Sequence, residues 1–216
     1  MEIHNATTTS YDEVKHIGVA IKKLPGSNQK HIGIIYKISK TSPAIMLDLQ
    51  WHHILSQRIP SNNYAWLDCG LDIYNKAALA AYCKDIYSEN GENTIPYGVG
   101  ISGKSFDPTT GKWILSNPYD GLTCASFVLE VFAAQGHTIL NKDSWQERES
   151  DKDWQNHIID MLEDTAASPE HIKYQRNLIG AFRYRPEEVA GAIPQDEYPV
   201  DFNDALEYAK EVLAAI

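Results

Sequence analysis

Cysteine is scarce in this chain: three in 216 residues, an odd number at no metal-ligand spacing. That argues against a disulfide framework and fits a reducing compartment. Positive charge is short as well. Lysine and arginine number 19 against 29 aspartates and glutamates, a formal net charge of −10. No window gathers a basic patch, which speaks against nucleic acid and against an anionic membrane surface as partners. No apolar run approaches membrane-spanning length, so membrane insertion is not expected. Residues 1–11 are polar and lack the apolar run of a signal peptide. The expected location is the cytoplasm, with export by a route without a cleaved signal left open. Neither disorder nor a coiled coil is indicated at 43% hydrophobic and 22% charged residues. The length suits one domain able to bury a real core.

What is present begins with strands. His16–Lys23 and His31–Ile38 are near copies, His-Ile-Gly followed by apolar residues, joined by the turn Pro25-Gly26-Ser27-Asn28. They read as a hairpin, and the repeat is too short for a repeat architecture. A third strand is expected from Ala44 to about Trp51. Its alternation places Ile45, Leu47, Leu49 and Trp51 on one face and Met46, Asp48, Gln50 and His52 on the other. In the preceding strand His31, Gly33 and Lys37 oppose Ile32, Ile34, Tyr36 and Ile38. Period two thus gathers His31 and the Asp48–His52 set on the less apolar side. Cys69 falls in a turn at Leu67–Gly70.

Helical spacing takes over from Asn75 to about Ser88, where Cys83 reads as plain core beside Leu79 and Ile86. Ile95–Ile101 reads as a short strand or extended loop. A loop with Pro118 and Gly121 then runs into Cys124. Ala125, Val128, Leu129 and Phe132 follow at i, i+3, i+4 and i+7, and Gly136 closes the helix. Asp120 or Thr123 is the candidate cap. Cys124 therefore sits at a helix start, where free N–H groups and the dipole favour a thiolate. After Leu140 the chain becomes charged and helical. An amphipathic helix is expected within about 143–165, with fresh starts at Ser168-Pro169 and Arg185-Pro186 and a last helix from about Phe202 to Ile216. The chain is read as one α+β domain over 1–216, with a core of about 12–140 and a helical extension of about 141–216 packed on it.

Histidine on a strand, a carboxylate on the next strand and a later helix-borne cysteine follow the order of a circularly permuted papain-like fold. The sequence resembles the permuted NlpC-type cysteine hydrolases, the group that includes the lecithin:retinol acyltransferase-like proteins. His31-Ile32-Gly33-Ile34-Ile35-Tyr36 is similar to the group's histidine strand. Met46-Leu47-Asp48-Leu49-Gln50 is similar to the strand bearing the residue that orients the imidazole. Ile95-Pro96-Tyr97-Gly98 resembles the Pro-Tyr segment upstream of the nucleophile, and Thr123–Val128 resembles the nucleophile helix. The resemblance spans roughly residues 30–135 and leaves the tail uncovered.

That resemblance implies an antiparallel sheet with the nucleophile helix packed on it. It further implies Cys124 as nucleophile, His31 as base and Asp48 as orienting group, with Gln50 and His52 competing for the third place. The duplicate His16 is the competing histidine. The Cys124 N–H, with a side chain such as Tyr97, would hold the oxyanion. Hydrolysis, transfer and deamidation share this first step, so the implied substrate is a peptide, a protein amide or a lipid ester, with a peptidase or amidase placed first. No cofactor is implied. A catalytically silent papain-like binding protein is the main alternative. A zinc site formed by His16, His31, Asp48, His52 and His53 is a weaker one.

Overall fold

The structure, a computed structural model, describes residues 1–91, 93–100, 103–165 and 167–216. Its sheet has six strands: β1 (His4–Asn5), β2 (Ile17–Lys23), β3 (Lys30–Tyr36), β4 (Ile45–Trp51), β5 (Ile54–Arg58) and β6 (Ala65–Asp68). All strand pairs are antiparallel and the order is β1-β6-β2-β3-β4-β5. Six α-helices follow among the described residues: α1 (Ile73–Asn90), α2 (Cys124–Ala134), α3 (Glu149–Asp164), α4 (Pro169–Arg176), α5 (Pro186–Ala192) and α6 (Phe202–Ala215). The fold is α+β, and none of these helices is long and apolar enough to cross a membrane.

The twin His-Ile-Gly segments form the central hairpin, paired from Ile17–Tyr36 to Lys23–Lys30. Their glycines are needed for close approach. A Cβ on Gly18 would lie 2.4 Å from the Leu67 carbonyl oxygen, and one on Gly33 would lie 2.7 Å from the Asp48 Cβ. The repeat therefore serves two separate packing demands, one toward β6 and one toward β4.

Alternation along β2, β3 and β4 splits the sheet into two faces. Ile17, Val19, Ile21, Ile32, Ile34, Tyr36, Leu47 and Leu49 belong to the large core, together with the apolar side of α2 and with α5. Ala20, Ile35, Met46 and Trp66 form a second core beneath Tyr11, Val14 and Tyr64. The less apolar face, which carries Asp48, is thus buried as well. Its cover comes from the N-terminal segment and from Tyr64, both distant in sequence from β4.

The tail completes the large core. Ile158, Ile159, Leu162, Ile172, Val189, Phe202 and Val212 belong to the same cluster as the sheet residues. Helix α5 is buried along its whole length and rests on β2, β3, α2 and α6. A 3-10 turn at Lys142–Ser144 precedes α3, so that helix starts later than its charge pattern suggests. Ser168 caps α4 and Pro169 opens it. Tyr97 forms an isolated parallel bridge with Leu122; Ile101, the end of that expected strand, lies outside the described residues. His52, expected at the end of the Asp48 face, falls with His53 in the turn between β4 and β5, His53 at φ 60°.

Candidate active site

Cys124 is the first residue of α2, and the start of that helix is fixed by a reciprocal cap. The Ser126 N–H donates to Thr123 Oγ1 at 3.1 Å, and the Thr123 N–H donates to Ser126 Oγ at 2.8 Å. Of the two candidate caps the structure uses Thr123; Asp120 instead accepts from the Tyr174 hydroxyl at 2.7 Å. Upstream, Gly121 lets the loop press onto Pro96–Gly98, since a Cβ there would meet the Gly98 nitrogen at 2.8 Å. The Leu122 N–H donates to the Pro96 carbonyl and the Gly98 N–H to the Leu122 carbonyl, at 3.0 and 3.2 Å. This paired crossing sets Tyr97 against Cys124.

His31 is the second residue of β3, beyond the last Ile34–Leu47 pair of the ladder to β4. Its Nε2 lies 2.6 Å from Asp48 Oδ2, which leaves Nδ1 for the Cys124 thiol, its other hydrogen-bonding neighbour. Burial works against a charged imidazole here. The hydrogen bonds to Asp48 and Cys124 outweigh it and hold His31 up at about 9. Cys124 is only 5% exposed, and burial alone would raise its pKa. The His31 hydrogen bond and charge, the Ile32 N–H and the Arg183 guanidinium reverse that and lower it. Both shifts favour the same state, a thiolate beside an imidazolium.

Asp48 is fully buried and stands between two cations. Its second oxygen accepts from Arg58 Nη1, and Arg58 is itself held by Ser56 Oγ at 3.0 Å and the Tyr64 hydroxyl at 3.2 Å. A carboxylate with no water contact needs such partners, because an unpaired buried charge is costly. Arg58 comes from β5, whose five residues alternate too briefly to stand out in the sequence.

Tyr97 is buried with its ring 4.9 Å from that of Trp51. Burial, then the nearby Cys124 thiolate, push its pKa well up, while the Cys124 backbone amide acts in the opposite sense. The hydroxyl thus stays protonated and close to the same N–H and Sγ. Behind it, the Tyr97 N–H donates to His52 Nδ1 at 3.2 Å and the Tyr97 carbonyl accepts from His171 Nε2 at 2.8 Å. His52 lies 4.0 Å from His53 and 4.6 Å from His171, ring to ring. These histidines support the Tyr97 backbone.

The structure therefore brings His31, Asp48, Cys124 and Tyr97 together. Gln50 lines the cavity and His52 supports Tyr97, whereas Asp48 is the group that meets His31. His16 sits at φ 68° with Nδ1 on the Lys37 carbonyl at 3.1 Å. No group of three or more histidine, cysteine or carboxylate side chains is arranged to hold a metal ion among the described residues, so the zinc grouping is not assembled. Cys83 and Cys69 are buried, and burial raises both thiols, Cys69 to about 11.

A cavity of about 220 Å³ opens on His31 and Cys124, walled by Trp51, Trp154, Ile158 and Met161 and reached by Arg183. Three of these walls belong to α3. Sequence reasoning missed Arg183. The alternation Phe182-Arg183-Tyr184-Arg185, aromatic then basic, was its one signal of an extended stretch. Together these parts define a thiol–imidazole–carboxylate centre at the mouth of an α+β fold. No family model matches the chain, and comparison with curated proteins and with solved structures gives no match.

Proposed function

We propose that this centre belongs to a thiol hydrolase or acyltransferase acting on an amide or ester, with a peptidase or amidase as the first choice. The fold it implies is the permuted papain-like one of the NlpC-type enzymes. One observation carries the reading: a single imidazole has a buried carboxylate on Nε2 and a helix-start thiol as a second hydrogen-bonding neighbour, beside a cavity. An inert core cysteine has no need of that arrangement, as Cys83 illustrates in the same molecule.

In the reaction, Cys124 Sγ attacks the carbonyl carbon and the carbonyl oxygen takes the negative charge. In this reading the Cys124 N–H and the Tyr97 hydroxyl, which stays protonated beside it, donate to that oxygen. His31 gives its Nδ1 proton to the leaving amine or alkoxide, and a thioester to Cys124 remains. A water or another nucleophile, losing its proton to His31, then attacks the thioester and restores the thiolate. Asp48 fixes the ring and stabilises its charge throughout.

The test is the acyl-enzyme. Mixing with p-nitrophenyl acetate should give a burst of nitrophenolate and an acetyl group on the peptide containing Cys124, with Cys124→Ala folded but silent. A burst that persists in Cys124→Ala would refute the assignment. So would a Cys124 acylated no faster than a free thiol, and that outcome would favour a silent binding protein.

A further inference from the structure

Arg183 stands out from the charges around it. Arg148 pairs with Glu188 and, at 2.9 Å, with Asp151. Arg185 reaches Asp151 at 2.9 Å, and Lys30 reaches Glu187 at 3.6 Å. Each carboxylate of this group thus has a nearer cation than Arg183, whose one ion contact among the described residues is Asp151 at 3.7 Å. No side-chain hydrogen bond from its guanidinium forms among the described residues, although its side chain is only 13% exposed. Its Cζ lies instead over Trp154, 3.3 Å from the ring centroid, and the side chain lines the cavity that holds Cys124. Tyr184, lining the same cavity, has a buried hydroxyl with no partner among the described residues. A desolvated guanidinium with its forked donors unfilled is costly unless a ligand fills them.

We propose that Arg183 is the substrate-binding cation of this site and that the substrate carries a carboxylate beside the bond that Cys124 attacks. The proposal rests on the assignment of Cys124 as an activated nucleophile. The guanidinium fork suits a carboxylate in two-point contact. Trp51, Trp154, Ile158 and Met161 supply an apolar surround for the carbon skeleton between that carboxylate and the carbonyl. Burial disfavours the charge on Arg183, with Asp151 opposing that effect, so an arriving anion would restore what desolvation takes away. The overall charge of the chain, −10, would not by itself draw an anionic substrate. A local cation inside the cavity is what makes such a substrate acceptable.

A matched pair of alkylating reagents separates the two ideas. Iodoacetate and iodoacetamide both react by thiolate displacement of iodide, forming one carbon–sulfur bond, and differ in the carboxylate. Adducts at Cys124 are followed by peptide mass spectrometry. The ratio of iodoacetate to iodoacetamide rates should exceed that of a small free thiol by about tenfold or more, the scale of a charged hydrogen bond. Propionate should slow the iodoacetamide reaction saturably and propionamide should not. Arg183→Gln should return the ratio to the free-thiol value, Arg183→Lys should retain part of it, and Lys30→Gln should leave it unchanged. A wild-type ratio equal to that of a free thiol, without protection by propionate, overturns the proposal even if the variants fail to fold. A raised ratio that survives Arg183→Gln assigns the preference to another cation and overturns it too. Slow iodoacetamide reaction in the wild-type protein would instead sink the nucleophile assignment.

Discussion

Asp48 occupies the space that a side chain on Gly33 would need: a Cβ there would fall 2.7 Å from Asp48 Cβ and 2.5 Å from Met46 Cε. The glycine two residues after His31 therefore makes room for the carboxylate that His31 contacts. Gly33→Ala is expected to cost about 1–3 kcal/mol of stability through overpacking. Acylation of Cys124 should slow as Asp48 is displaced. Denaturant unfolding together with the nitrophenolate burst measures both; an unchanged burst would mean Asp48 does not need this position.

Removing the charge of Asp48 while keeping its shape isolates its electrostatic part. Asp48→Asn should let His31 titrate lower, because burial then acts with less opposition, and acylation should slow by about tenfold or more. NMR titration of the His31 ring reads the first effect and burst kinetics the second. A His31 titration that stays near 9 in this variant contradicts the pairing.

The raised pKa of His31 fixes a pH dependence. The folded value of about 9 exceeds the unfolded value of 6.5, so the folded state binds this proton more tightly. Its contribution to stability is complete below pH 6.5 and is lost as pH rises through about 9. Amide hydrolysis should fall over the same rise, since the imidazolium that protonates the leaving amine disappears. His31→Gln should flatten the alkaline limb of the unfolding profile; an identical limb in that variant refutes the linkage.

The histidines behind Tyr97 act at the other end of the scale. His52 is lowered to about 4, by burial first and then by His53 and His171, and those two are lowered as well, chiefly by burial. These rings are neutral in the fold and must charge on unfolding in acid. Their contribution is present above pH 6.5 and lost as pH falls toward about 4. His53→Asn, which tolerates the positive φ at that position, should soften the acid limb of thermal stability. No change in that limb would count against the cluster.

The centre was more legible in the sequence than its surroundings. Alternation along β3 and β4 has period two, so His31 and Asp48 could be placed on one face from spacing alone. The cap before Cys124 was legible only as Asp120 or Thr123, and the reciprocal bonds between Thr123 and Ser126 decide between them. Arg58 was hidden, because β5 follows a two-histidine turn and the pairing of β4 with β5 shifts register between Leu49 and Trp51. Arg183 was hidden for another reason: it lies between α4 and α5, where a four-residue alternation is too short to say which face meets the cavity. The burial of Asp48 depends on Tyr11, Val14 and Tyr64, and no local pattern reveals what a distant segment covers.

Apart from Trp51 on β4, the apolar cavity wall comes from a different part of the chain than the reacting groups. His31, Asp48 and Cys124 stand on the sheet and α2, while Trp154, Ile158, Met161 and Arg183 come from α3 and the segment before α5. Under the proposed function, selectivity and chemistry can therefore diverge independently. Substitutions confined to the tail would retarget the molecule toward a new ligand and leave the machinery on the sheet as it is.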